Sequence, residues 1–180
     1  MATLTDEPMI TPEQLLELND DKRYELVDGR LVEKKVGYLA NRIASVLFWF
    51  LENYLRQNHC GIAVCEGSFQ NSQNTVRVPD VSVTRAGRFP NGEIPSGHSR
   101  IAPDIAVEVI SPNELTYDSD RKMKEYLASG VKEVWSANPK LKTIRIKRSN
   151  GTSSELDEND ILKCEDLLPE FTLKVSEIFQ

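Results

Sequence analysis

Two spacings of apolar residues alternate along this chain. Residues 38–57 carry apolar side chains at 39, 43, 46, 47, 50 and 54, which predicts a long helix packed on a sheet. Extended segments are predicted at 62–69 and at 76–85, the latter with Val76, Val78, Val81 and Val83. Residues 104–110 are almost continuously apolar and predict a central strand buried on both faces. Two further strands, 131–137 and 141–148, are joined by Asn138-Pro139-Lys140. Between them and the central strand, residues 119–129 predict a helix capped by Asp118 or Ser119 and stopped at Gly130.

Local signals complete the outline. Thr11-Pro12-Glu13-Gln14 begins a short helix, with Thr as N-cap and Pro at the first helical position. Asp28-Gly29 joins residues 24–27 to 30–33, a hairpin signal. Residues 88–100 are rich in Gly, Pro, Asn and Ser and read as a long loop of the kind that often carries function. Residues 150–160 read as an acidic turn region, and an apolar tail closes the chain. No repeat or linker interrupts it. The order of elements predicts one α/β (α+β) domain over residues 1–180, a mixed sheet flanked by helices with an N-terminal β-hairpin.

Composition narrows the class. The chain has 180 residues, 39% hydrophobic and 28% charged, which excludes collagen-like and disordered readings. No apolar run approaches the roughly 20 residues that span a bilayer. The opening MATLTDEPMITPEQ lacks the basic and apolar regions of a signal peptide, so the expected compartment is the cytoplasm, with no membrane partner. Cys60, Cys65 and Cys164 suggest core or boundary thiols, and His59 and His98 ordinary surface groups. The net charge of −6 argues against a general DNA-coating protein, yet residues 77–148 hold 13 basic and 9 acidic groups. Such a local basic excess attracts polyanions, or it is chance asymmetry on a solvated surface.

The candidate chemistry centres on Glu108, a carboxylate inside an apolar strand. Its ionised form is costly there unless a cation or hydrogen-bond donors face it. Strand periodicity sets Asp104 and Glu108 on one face. Asp80 interrupts another valine-rich segment, and the two carboxylates converge if their strands are neighbours. Converging hard oxygen ligands favour Mg²⁺ or Mn²⁺. On the next helix, Asp118, Lys122 and Tyr126 are four apart and share a face. Lys122 then either orients or deprotonates a water at such a site, or makes a plain surface pair with Asp118.

The residues Tyr24-Glu25-Leu26-Val27-Asp28-Gly29, Pro79-Asp80-Val81, Pro103-Asp104 through Glu108-Val109-Ile110-Ser111-Pro112, and Lys122 with Glu125-Tyr126, Gly130-Val131 and Trp135 resemble the bacterial Uma-two family. That family is classed among restriction-endonuclease-like nucleases of the PD-(D/E)XK superfamily. The resemblance runs from about Thr11 to the tail. It implies a Mg²⁺- or Mn²⁺-dependent endonuclease hydrolysing DNA phosphodiester bonds. The second reading is a non-catalytic binding or regulatory module on the same fold.

Carried over by residue, Asp80 matches the first metal-binding aspartate and Glu108 the acidic member of the (D/E)XK element. Asp104 is a further candidate metal ligand. The lysine expected two residues after the glutamate is replaced by Ile110, and Lys122 matches the family's helix lysine, with Lys124 as runner-up. Glu25 matches a recurrent glutamate, which is either an added ligand or a structural residue of the hairpin. Tyr126 and Trp135 read as packing residues. Arg145 and Lys147 alternate on one strand face, where they contact nucleic-acid phosphates or protect an edge strand. A small domain that cuts two strands is expected to act as a homodimer.

Overall fold

The computed structural model describes residues 9–19, 22–34, 37–111 and 116–180, and the side chains of 116–118 are outside the description. The side-chain pair expected between Asp118 and Lys122 therefore lies outside the described residues, as does the strand stop at Pro112-Asn113. Asp118 and Ser119 both sit inside a helix that begins at Thr116, so neither is its cap. Helix α1 (Pro12–Glu17) opens the described chain with a capping box, in which Thr11 and Gln14 satisfy each other's backbone N–H groups. Strands β1 (Tyr24–Val27) and β2 (Arg30–Glu33) follow as an antiparallel hairpin. Its turn residues Asp28 and Gly29 have φ of 49° and 78°, the left-handed pair that a two-residue hairpin turn needs.

Helix α2 (Tyr38–Asn58) buries Ile43, Leu47, Leu51 and Leu55 along one stripe. Strands β3 (Gly61–Cys65), β4 (Phe69–Ser72), β5 (Thr75–Arg77) and β6 (Val81–Arg85) follow. Next come β7 (Ile105–Val109), α3 (Thr116–Ala128), β8 (Glu133–Asn138), β9 (Thr143–Arg148) and β10 (Ser153–Leu156). The chain ends with β11 (Ile161–Cys164), β12 (Leu168–Lys174) and α4 (Val175–Ile178).

These strands form a six-stranded sheet ordered β10-β9-β8-β7-β6-β3, a four-stranded sheet ordered β2-β1-β5-β4, and the β11–β12 pair. In the large sheet β7 and β8 run parallel, as their connection through α3 requires, and the other pairs are antiparallel. All five residues of β7 are buried. Val107 and Ile105 face α2, with Leu47, Leu51, Trp135 and Phe171 in the larger core. Ala106 faces α3, with Met123, Tyr126, Val134 and Phe69.

The segment 76–85 is two strands in different sheets. Val78-Pro79-Asp80 separates them, because Pro79 has no N–H to give a ladder. Residues 62–69 divide likewise into β3 and the start of β4. The acidic region 150–160 contains β10, and the tail adds β11 and β12, whose Leu162, Cys164, Phe171 and Leu173 turn inward. The long loop is also more tied than expected. His98 bridges it to the rest, with Nδ1 2.8 Å from Ser68 Oγ and Nε2 3.0 Å from the Pro12 carbonyl, so it is no ordinary surface group. Among the thiols Cys164 is buried and Cys60 half-buried, but Cys65 is exposed. Among the described residues no helix is long and apolar enough to cross a membrane.

Leu47 is fully buried between α2 and the sheet. Leu47→Ala is expected to lower unfolding free energy by about 2–5 kcal/mol in urea titrations, as buried leucine truncations do.

Candidate active site

The two sheets meet where the chain leaves β5, turns at Pro79 and enters β6, and four elements send charged side chains into this seam. β6 and β7 pair with Val81 opposite Val107, so the register carried one step on sets Asp80 against Glu108. Asp80 Oδ2 accepts the Val109 N–H at 2.7 Å, which fixes its carboxylate beside Glu108. Glu25 arrives from β1 in the small sheet. It accepts from the Val78 N–H at 3.0 Å and from Arg77 at 2.8 Å, across the start of the sheet-changing turn.

Helix α3 crosses over this seam. Lys122 Nζ lies 2.9 Å from Glu108 Oε1 and 3.1 Å from Glu25 Oε1, bridging a carboxylate of each sheet. One turn on, the Tyr126 hydroxyl donates to the same Glu108 oxygen. Lys34, just past β2, completes the group. Its ammonium is 2.7 Å from Asp80 Oδ1 and donates to the Val78 carbonyl at 2.6 Å. Arg77 also pairs with Glu125 of α3, while its Nε has no hydrogen-bond partner.

Burial and charge then set the protonation of the cluster. Burial is the largest influence on Glu108 and pushes its carboxyl up to about 7; Asp80 and Glu25 add to the rise, and Lys122 and Lys34 oppose it. Burial works against a charge on Lys122, but Glu108 and Glu25 outweigh it and hold the ammonium above the ordinary lysine value. For Glu25 burial again opposes ionisation, and Lys122 with Arg77 prevails, so its carboxyl titrates below the ordinary range. Burial, then Glu108, raises the Tyr126 phenol, which stays a donor.

The structure thus gathers Asp80, Glu108, Lys122 and Glu25 into one cluster. It does not bring Asp104 there. Asp104 lies four residues before Glu108, about 13 Å along the strand. Its carboxylate is engaged by the Arg85 N–H at 2.9 Å and by Arg88, so the expectation of a metal ligand there is corrected. Lys124 is two residues, about 200°, around the helix from Lys122 and is exposed, so it too is outside the cluster.

Arg145 and Lys147 share the α3 face of the sheet. Arg145 stands in one cross-strand row with Glu108 and Ser136, which ends at Glu155. Both cations reach Asp120 of α3, Lys147 at 2.7 Å and Arg145 at 3.5 Å. A cleft beside this row is lined by Ser119, Ser136, Arg145 and Lys140, with exposed Tyr38 and Leu141 at its edge.

Three parts of the cluster escape sequence reasoning. Arg77 lies within what reads as one long strand, and Lys34 follows a hairpin with no periodic signal. Tyr126 is fully buried against Phe69, as its apolar spacing predicts, but its hydroxyl also holds Glu108. A phenol four residues after Lys122 on one helix face was the available clue.

The raised Glu108 titration makes a stability prediction for the protein in chelating buffer. Between the ordinary value of 4.5 and about 7, the folded state holds a proton that the unfolded state releases. Stability from this group is therefore present at low pH and is lost as pH rises through about 7. The groups facing Glu108 are Lys122 and Tyr126 from α3, Asp80, Lys34 and Glu25. Urea unfolding should give wild type a larger advantage, or smaller deficit, relative to Glu108→Gln at pH 5 than at pH 8. A difference independent of pH contradicts this assignment.

Comparison with known proteins agrees with this architecture. Residues 12–176 match the model of the Uma2 family, described as "Putative restriction endonuclease". A solved crystal structure from Anabaena variabilis, described as a "putative nuclease belonging to DUF820", superposes with a TM-score of 0.82. It is 22% identical, and the match covers 94% of this chain and 97% of that one, which establishes a shared fold. No curated protein matches. The chain belongs to the Uma2 family.

Proposed function

We propose that this protein is a divalent-metal-dependent endonuclease that hydrolyses DNA phosphodiester bonds at the Asp80–Glu108–Lys122 cluster. The observation that carries the reading is the abutment of two buried carboxylates with an ammonium 2.9 Å from one of them, in a member of a family described as endonucleases. Among the described residues no three His, Cys, Asp or Glu side chains are gathered closely enough to hold a metal ion alone. The donor set still fits Mg²⁺ or Mn²⁺, because these hard ions are commonly held by one or two carboxylates, with water and phosphate oxygens filling the other positions. When bound, such an ion polarises the phosphate and makes a water easier to deprotonate.

The chain's own residues divide the remaining work. Asp80 and Glu108 supply the ligands. The Val109 N–H and the Tyr126 hydroxyl hold those carboxylates in place. Lys122 keeps its proton, so it orients the attacking water and offers positive charge to the phosphate as negative charge builds. Glu25 acts through Lys122 and fixes its direction. Arg145 and Lys147, on the same sheet face, take neighbouring phosphates of the strand, with the adjoining cleft as its path. A homodimer supplies one such site for each strand.

A second reading, a non-catalytic binding module, draws on a specific feature. Lys34, Arg77 and Lys122 already neutralise Asp80, Glu25 and Glu108. Plasmid nicking separates the two. With Mg²⁺ or Mn²⁺ the wild type is expected to nick supercoiled DNA. Glu108→Ala, Asp80→Asn and Lys122→Ala should each lose about 100-fold or more, the scale of removing a transition-state contact. Cleavage unaffected by Glu108→Ala and Lys122→Ala defeats the assignment, and no cleavage by any variant favours the binding module. Arg145→Ala should weaken DNA binding by filter retention and reduce its salt dependence, with metal affinity unchanged.

A further inference from the structure

Lys34 pairs with a carboxylate that the proposed reaction needs as a metal ligand. Its stem runs from the end of the β1–β2 hairpin into the seam, and its ammonium sits 2.7 Å from Asp80 Oδ1. Its side chain is 11% exposed and that of Asp80 10%, so the contact is shielded from solvent. The other oxygen of Asp80 accepts the Val109 N–H, and Oδ1 is the oxygen that Lys34 holds. Lys122 already serves Glu108 and Glu25, and Arg77 serves Glu25. Lys34 is thus the cation assigned to Asp80.

We propose that Lys34 is a resident competitor for the metal: its ammonium occupies the coordinating oxygen of Asp80, and must swing away before a divalent ion binds between Asp80 and Glu108. This rests on the metal-dependent reading above. The physical reason is simple. An ammonium with three donors satisfies a shielded carboxylate in the absence of an ion. An ammonium and a divalent cation repel each other strongly at one ligand oxygen. The departing side chain has somewhere to go. Lys34 also lines an open surface pocket with Tyr24, Arg23 and Glu66; Glu66 already pairs with Arg23, so the departing head moves out toward solvent there without unfolding the hairpin. The β1–β2 hairpin thereby couples metal loading to the small sheet, and metal-free protein is kept stable.

Calorimetric titration of the full chain with Mn²⁺ tests this. Lys34→Met keeps the apolar stem and removes the charge, and should tighten Mn²⁺ binding about tenfold, the scale of one lost charge-assisted hydrogen bond. Lys34→Arg keeps a competing cation and should stay near wild type. In chelator Lys34→Met should melt below wild type, since Asp80 is left with its charge uncompensated. A readout on the unaltered protein guards against a misfolded variant. Amine acylation followed by mass spectrometry should find Lys34 more reactive once Mn²⁺ is added. Equal Mn²⁺ affinity in wild type and Lys34→Met, or Lys34 labelling unchanged by saturating Mn²⁺, overturns the competitor role and leaves the nuclease reading standing. Absence of Mn²⁺ binding in both proteins overturns the role and the metal-dependent reading together.

Discussion

The seam between the two sheets is organised by the cost of burying carboxylates. Glu25, Asp80 and Glu108 are each less than a tenth exposed. An unpaired charge in such a place costs several kcal/mol, so each needs a cation or several donors. Lys122 answers two of them at once and ties β1 of the small sheet to β7 of the large one through α3. Arg77 and Lys34 answer the rest. A cluster of this kind is weak evidence for stability, since apolar side chains of the same volume commonly do as well. Its retention in the middle of the fold is what directs attention to chemistry.

Backbone geometry makes the convergence possible. β7 is buried from end to end, and its antiparallel neighbour β6 begins one residue after Asp80. Pro79 breaks the preceding strand, so the chain changes sheets at the point where Asp80 must turn toward Glu108. The parallel β7–β8 pair requires a crossover, and α3 is that crossover. Its Lys122 and Tyr126, four residues apart, therefore land on the same strand residue. Position 110, where the sequence resemblance expects a lysine, is Ile110 and lies just past the end of β7. The ammonium at Glu108 comes instead from Lys122 of α3, and Ile110 lines the adjoining cleft.

Much of this is legible in the sequence because it follows from periodicity. The helix over residues 38–57, the hairpin at Asp28-Gly29 and the apolar run around Glu108 all announce themselves by spacing. Helix spacing leaves Lys122 between a site near the sheet carboxylates and a surface pair with Asp118, and the family resemblance favours the former. Features set by long-range pairing are not legible. The apolar residues of the closing tail carry no sign of the β11–β12 pairing that turns them inward. Asp104 looks equivalent to Glu108 by strand face, and its distance along the strand and its contacts with the Arg85 N–H and Arg88 set it apart from the cluster. Lys34 has no local signal at all, because its meaning depends on where β2 ends relative to Asp80.

The central claim is that a divalent ion belongs between Asp80 and Glu108. Anomalous diffraction from crystals of this protein soaked in Mn²⁺ tests it most directly. The account predicts a peak at coordination distance from both carboxylates, with the Lys34 ammonium moved off Asp80 and Lys122 still at Glu108. Saturating Mn²⁺ with no peak at that point, or with the Lys34–Asp80 pair intact, would contradict it.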